Sequence, residues 1–407
     1  MAGNAAGATR TWLPYLAPLL MAVIALPLTG YAVWQSTAWV GVHFPGFLLM
    51  ENRVIPTVSG FGWPPDKATV FHSEVIAVDR IAVASSGEVF RRLATMTPGM
   101  PVEYTLRKEG ETKIVRLPLR RFEVGDLLQT YGIILIFGCA NLLIGLTVGF
   151  LQPQALQARV FAFHSFVAAM YAVTSVFLHH PDFDRLNRLC LLSECLVWAT
   201  FVHLAATFPV VRGRGNRRGW LLLPYAVSLI LFTAVLRGFD ARPPDLGALH
   251  LGYALTAFAL LCVAAAMAYS YWEDRGPRVR LQIKAVLPGL MLACAVPCLV
   301  FLDNASTGRE LPMQSGLLAA LPFYASVAYA IAKHDLFDID RVVRLSFVYA
   351  VVTLVVLSGY AVMLQLGAWL LPASAGRNAV LGALFLLVLA AALEPLRRGV
   401  QSVVDRA

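Results

Sequence analysis

Apolar residues in this chain fall into long, nearly unbroken blocks. In order they run about 12 to 34, 127 to 151, 160 to 180, 189 to 211, 219 to 237, 250 to 272, 283 to 302, 314 to 333, 345 to 371 and 378 to 394. A helix needs roughly 20 apolar residues to cross a bilayer, so the pattern predicts a polytopic α-helical membrane protein with about ten transmembrane helices. The first block follows a short tail containing Arg10 and exceeds the apolar core of an ordinary signal peptide. It is expected to remain as an anchor, a cleaved signal being the alternative.

One region breaks the pattern. From about residue 35 to 125 the chain is polar, long enough for one small domain. Glu74 to Val78 reads as a strand, and Ser85 with Glu88 forms a capping box that opens a short helix with Val89, Leu93 and Met96 on one face. Thr97-Pro98-Gly99 ends that helix. Val102 to Leu106 and Lys113 to Leu117 then alternate on either side of Glu109-Gly110, the pattern of a closing hairpin. The expected organisation is a tail and anchor over 1–34, a small α+β domain over 35–125, a nine-helix bundle over 126–394 and the start of an emerging helix over 395–407.

Composition narrows the class. The chain is 58% hydrophobic and only 14% charged, well below the charged share of soluble domains. Its formal charge of +9 invites a nucleic-acid reading, but the basic residues sort by side. With the N-terminus inside, the inner segments hold Arg10, Arg159, Arg212, Arg214, Arg217, Arg218, Arg275, Arg278, Arg280, Lys284, Lys333, Arg341, Arg344, Arg397, Arg398 and Arg406. The short outer loops hold Arg185, Arg188, Arg237, Arg242, Arg309 and Arg377. That asymmetry obeys the positive-inside rule and places the polar domain outside, with both termini cytoplasmic. Anionic lipid on the inner leaflet then accounts for the charge without nucleic acid. The six cysteines sit in or beside apolar blocks with no zinc or disulfide pattern, and Cys294 and Cys298 read as small packing residues.

Ionisable residues at bilayer depth are costly, which singles out His164, Glu194 and His203. His164 and His203 share a depth compatible with a contact that transmits a signal or pins two helices. The turn His179-His180-Pro181-Asp182-Phe183-Asp184 gathers metal-ligand types in His179, His180, Asp182 and Asp184, although its proline and short length read first as a solvated turn. Gly145 and Gly149 form a GxxxG packing pattern. There is no HExxH, GxSxG or GxxxxGK[ST]. No catalytic residue, cofactor or metal is therefore expected in these 407 residues.

The order strand, helix, Pro-Gly, hairpin over roughly 42 to 120 resembles the second half of a PDZ domain, and Phe44-Pro45-Gly46-Phe47 resembles that family's carboxylate-binding loop. The resemblance implies that Phe44, Gly46 and Phe47 cap a peptide carboxylate while residues Phe47 to Met50 supply the edge for an added strand. The usual Gly-Asp before the central strand is Ser73-Glu74, the turn glycine after it is Arg80, and Pro45 removes an N–H donor.

The stretches His334 to Arg344, with Leu336, Phe337, Asp338, Asp340 and Arg341, and Glu394 to Arg398, with Pro395, Leu396 and Arg397, resemble the juxtamembrane segments of multi-span bacterial sensor histidine kinases of the competence quorum-sensing type. His203-Leu204 through Phe208-Pro209 is similar to a span ending in that family. The resemblance implies an inner-membrane receptor that takes an extracytoplasmic peptide, protein tail or lipophilic signal and passes helix movement to a kinase output and its response regulator, as a homodimer embedded in lipid. Kinase activity is expected only with an output domain that follows or associates. A transporter or lipid-handling protein, with Pro288 and Pro297 as modest kink candidates, and a passive envelope scaffold are the alternatives.

Overall fold

The computed structural model describes residues 13–335 apart from 61–62, 65–66, 109, 180–185, 212–215, 274–275 and 308–313. The expected spans 345 to 371 and 378 to 394 lie outside the described residues. So do His180, Asp182, Asp184, Leu336, Phe337, Asp338, Asp340, Arg341, Pro395, Leu396 and Arg397.

After a 3-10 turn at Leu13–Tyr15, helix α1 runs Leu16–Thr37. The polar domain follows, with β1 His43–Phe44, α2 Lys67–Val70, β2 Glu74–Val78, β3 Ile81–Ala82, α3 Ser86–Ala94, β4 Pro101–Lys108, β5 Glu111–Pro118 and β6 Arg120–Arg121. Its main sheet has the order β3-β2-β4-β5, and β1 pairs separately with β6. The strand, helix and hairpin expected from the sequence are all present. Ser85 Oγ accepts from the Glu88 N–H at 3.2 Å, while the Glu88 carboxylate reaches back to the Ala84 N–H at 2.8 Å. Gly99 and Gly110 turn with φ of +89° and +86°, a region open to glycine at no steric cost.

The chain re-enters the bundle through α4 Val124–Leu127, a π-helical turn at Leu128–Gly132 and α5 Ile133–Leu151. Helices α6 Leu156–Leu178, α7 Asn187–Thr207, α8 Leu222–Asp240, α9 Gly247–Glu273, α10 Pro277–Thr307 and α11 Gln314–Asp335 complete the described part.

Seven helical segments among the described residues are long and apolar enough to cross a membrane. They coincide with the first seven expected spans, shifted by a few residues at most ends. In α11, the eighth expected span, the apolar stretch is shorter, Gly316–Ile331. The large hydrophobics Leu19, Val23, Leu223, Ile230, Leu261 and Met291 are exposed on the outer helices, as side chains facing lipid are, because the bilayer solvates them where water cannot. Helix α6 is instead buried nearly all round, the mark of a central helix. It packs on α5 through Gly138, Gly145 and Gly149. A Cβ on Gly145 would lie 2.5 Å from Ser165 Cβ, and one on Gly149 would lie 3.1 Å from Ala162 Cβ. The GxxxG pattern thus serves a contact within the chain.

Two hydrophobic clusters bridge domain and bundle. A continuous cluster runs from Val75, Val89 and Tyr104 in the domain through Trp39, Phe44 and Phe122 to Tyr131, Val173 and Phe177 in the helices. A second cluster joins Met50 and Val54 to Leu178, Cys190, Leu191 and Phe239.

Candidate functional site

Both connections between domain and bundle are clamped at the same place. The Gly41 N–H donates to the Phe122 carbonyl at 2.8 Å, and the Phe122 N–H donates back to Val42 at 2.9 Å, beside the β1–β6 pair. Entry and exit strands therefore hold each other where α1 ends and α4 begins. Trp39 lies between Phe122 (ring centroids 5.2 Å apart) and Tyr131 (6.1 Å), and Phe44 packs edge-on against Trp63 and Phe122, each at 5.2 Å.

Polar contacts reinforce the joint. Trp63 Nε1 donates to Asp126 Oδ1 at 2.8 Å, and the other carboxylate oxygen accepts from the Glu123 N–H at 2.9 Å, so Asp126 caps the re-entering helix while holding the domain. Thr130 Oγ donates to the Asp126 carbonyl inside the π-turn at 2.7 Å. Such turns recur at functional sites because they widen the helix and re-aim its side chains. Gln314, at the start of α11, donates to the Ser59 carbonyl. On the rim, Arg188 pairs with Asp240 at 3.0 Å and with Glu51 at 3.8 Å, and Asn187 Nδ2 donates to Glu51 at 2.5 Å.

The expected carboxylate loop is part of this joint. Phe44 and Phe47 are fully buried and serve as core side chains, Phe47 against Tyr104 at 5.2 Å. Gly46 has φ of +78°. The expected edge at residues Phe47 to Met50 is corrected: these residues form no ladder strand, and all four side chains are buried. Helix α3 lies directly on the segment. Ser86 Oγ donates to Met50 O at 2.6 Å, and the His43 ring meets the Leu93 carbonyl at 3.3 Å. A strand-adding peptide would have to displace contacts that already fill the groove.

The intramembrane residues are tied in ways the sequence did not foretell. His164 and His203 do not touch through their rings' nitrogens; each has a hydroxyl partner instead. His164 Nδ1 lies 2.8 Å from Thr200 Oγ, and Nε2 lies 3.1 Å from the Tyr324 hydroxyl. Thr200 spends its only proton on the Val197 carbonyl at 2.8 Å, so its oxygen must accept from His164 Nδ1–H. That leaves Nε2 as the acceptor of Tyr324 O–H. This assigned tautomer joins α6, α7 and α11. His203 Nδ1 pairs with the Tyr225 hydroxyl at 2.9 Å, joining α7 to α8.

Glu194 faces Tyr253 of α9, and its Oε1, out of contact with solvent, has no hydrogen-bond partner among the described residues. From Tyr253 a line of rings continues to His250 at 6.2 Å and then to His72 of the domain at 5.5 Å. His72 and His250 escaped the sequence reading because nothing in their spacing links positions so far apart in the chain. His179 is corrected: it is not on a solvated turn but only 2% exposed, its ring 6.3 Å from Tyr131. Burial holds that imidazole well below its ordinary value. No cluster of metal-ligating side chains occurs among the described residues.

No protein-family model, curated protein or solved structure matches the chain.

Proposed function

We propose that this chain is the sensor part of a multi-span bacterial membrane receptor of the histidine-kinase type, in which domain and helices respond as one body. The carrying observation is the clamped joint. Both chain connections are pinned between Gly41, Val42 and Phe122, and Asp126 binds Trp63 while capping the re-entering helix. A domain so attached transmits displacement to α1 and α5, because packed cores shift between discrete arrangements rather than deforming smoothly.

The end of the bundle away from the domain carries Arg159, Arg217, Arg218, Arg278, Arg280, Lys284 and Lys333, which supports a cytoplasmic far end in an inner membrane. Of the two entry points for a signal, the bundle near Glu194 has better support than the filled groove at Phe44, Gly46 and Phe47. Glu194 keeps an open acceptor for a lipophilic donor, whereas α3 already occupies the groove wall. A ligand there acts only by binding one helix arrangement more tightly than another.

A chimera of residues 1–407 with the output domain of a known histidine kinase tests the reading. Asp126→Ala and Trp63→Ala are expected to change autophosphorylation several-fold at equal membrane abundance. Unchanged activity in both would leave the chain a passive scaffold, and substrate flux in proteoliposomes would make it a transporter.

A further inference from the structure

One contact across the joint differs from the rest in being titratable on both sides. His72 sits on a tight turn after α2, with φ of +60° and its N–H donated to the Ile55 carbonyl at 2.8 Å. Its neighbours Phe71 and Ser73 are fully buried, so the main chain there has no room to retreat. The ring reaches the first turn of α9, where it meets His250, itself exposed to solvent.

We propose that His72 and His250 form a proton-operated latch between the outer domain and the helix bundle, closed when both rings are neutral and opened by acid. Two imidazolium ions with centroids 5.5 Å apart repel. The charged groups facing the pair add to that repulsion. Lys108 of β4 stands beside His72, and the α9 neighbour of His250, Tyr253, is neutral. The carboxylate on this line, Glu194, lies one residue further along, beside Tyr253. The rim carboxylates Glu51 and Asp240 are engaged by Arg188.

Burial first, then the charges of His250 and Lys108, drive His72 from 6.5 down to about 4 in the closed joint. An opened joint returns it to its ordinary value. The open state therefore binds more protons between those limits, and closure, complete above pH 6.5, is lost as pH falls towards 4. From pH 8 to pH 5 the His72 contribution alone moves the equilibrium about 30-fold towards the open joint. The latch stands independently of the receptor reading, since it concerns the joint and not the output.

The test uses the full chain in lipid nanodiscs, with its native cysteines replaced and spin labels at the exposed positions Ile81 and Arg242. Distance distributions are compared at pH 8 and pH 5. A longer-distance population is expected to grow at pH 5 and to be lost in His72→Phe, which keeps a ring but cannot titrate. His72→Asn, suited to the left-handed backbone, serves the same purpose where the larger side chain does not fold. Identical distributions at the two pH values, or an undiminished response in the non-titrating variant, would overturn the latch.

Discussion

The Nε2 of His164 lies 3.1 Å from the hydroxyl of Tyr324, and the two rings stack at an interplanar angle of 4°. One neutral imidazole thereby ties the central helix α6 to α11 while its other nitrogen holds α7. Hydrogen bonds between membrane helices average about 0.6 kcal/mol and reach about 1.7. Tyr324→Phe is expected to lower stability by about 1 kcal/mol. His164→Leu is expected to cost more, because Tyr324 loses its acceptor and Thr200 its donor together. A double-mutant cycle on unfolding in mixed micelles checks this, with a coupling energy indistinguishable from zero contradicting it.

Close packing of α5 on α6 makes Gly145 intolerant of size. Gly145→Leu would press on Ser165, and overpacking of this kind costs about 1–3 kcal/mol. Gly30→Leu on α1, with open space around it, is expected to be silent. Thermal unfolding of both variants decides. If the GxxxG pattern instead serves a dimer, Gly145→Leu will change the oligomeric state and spare the monomer's stability.

Within the domain, Glu74 is 4% exposed and binds Arg53 and Arg107 at once. Removing the buried carboxylate leaves Arg53, 14% exposed, without its partner, while Arg107, 36% exposed, can turn to water. The loss therefore falls below the roughly 3–5 kcal/mol of a wholly buried pair. Glu74→Ala is expected to lower the denaturant midpoint of the domain core by a corresponding amount, and to do so far more than Glu111→Ala on the exposed edge strand β5. Equal midpoints for the two variants would contradict the assignment.

Two surface carboxylates give the domain a second acid sensitivity. Glu88 is held below 4.5 by the Ala84 N–H and Arg92, and Glu103 by its hydrogen bonds to Arg116 and Arg80. A depressed carboxylate adds stability above its unfolded value and loses it as pH falls through the lower, folded one. Loss from these groups is therefore confined to the region below pH 4.5 and is separable from the histidine latch, which acts higher. Glu103→Gln is expected to flatten the acid limb of the domain's stability profile, and raised salt to weaken it in the wild type.

Much of the fold was legible because its physics is local. Block length announced the helices, the Ser85 and Glu88 pair marked the start of α3, and alternation from Val102 to Leu117 revealed the hairpin. The joint was not legible. Trp63 and Asp126, or His72 and His250, meet only through the three-dimensional course of the chain, and no period or motif records such a meeting. Phe44 and Phe47 mislead for the same reason: an apolar-Gly-apolar triplet looks alike lining an open groove or filling a core. The histidines were singled out by the cost of polar groups in lipid, but their partners Thr200, Tyr225 and Tyr324 carry hydroxyls too common in sequence to point anywhere.

On the proposed topology the domain stands across the membrane from residues 216–221, which lead into α8. Cysteines introduced one at a time at Ile114 in the domain and at Trp220 in that segment, both exposed, in a background without the native cysteines, test it most directly. A membrane-impermeant maleimide applied to intact spheroplasts is expected to label position 114 at once and position 220 only after permeabilisation. Labelling of both positions in intact spheroplasts would rule that topology out.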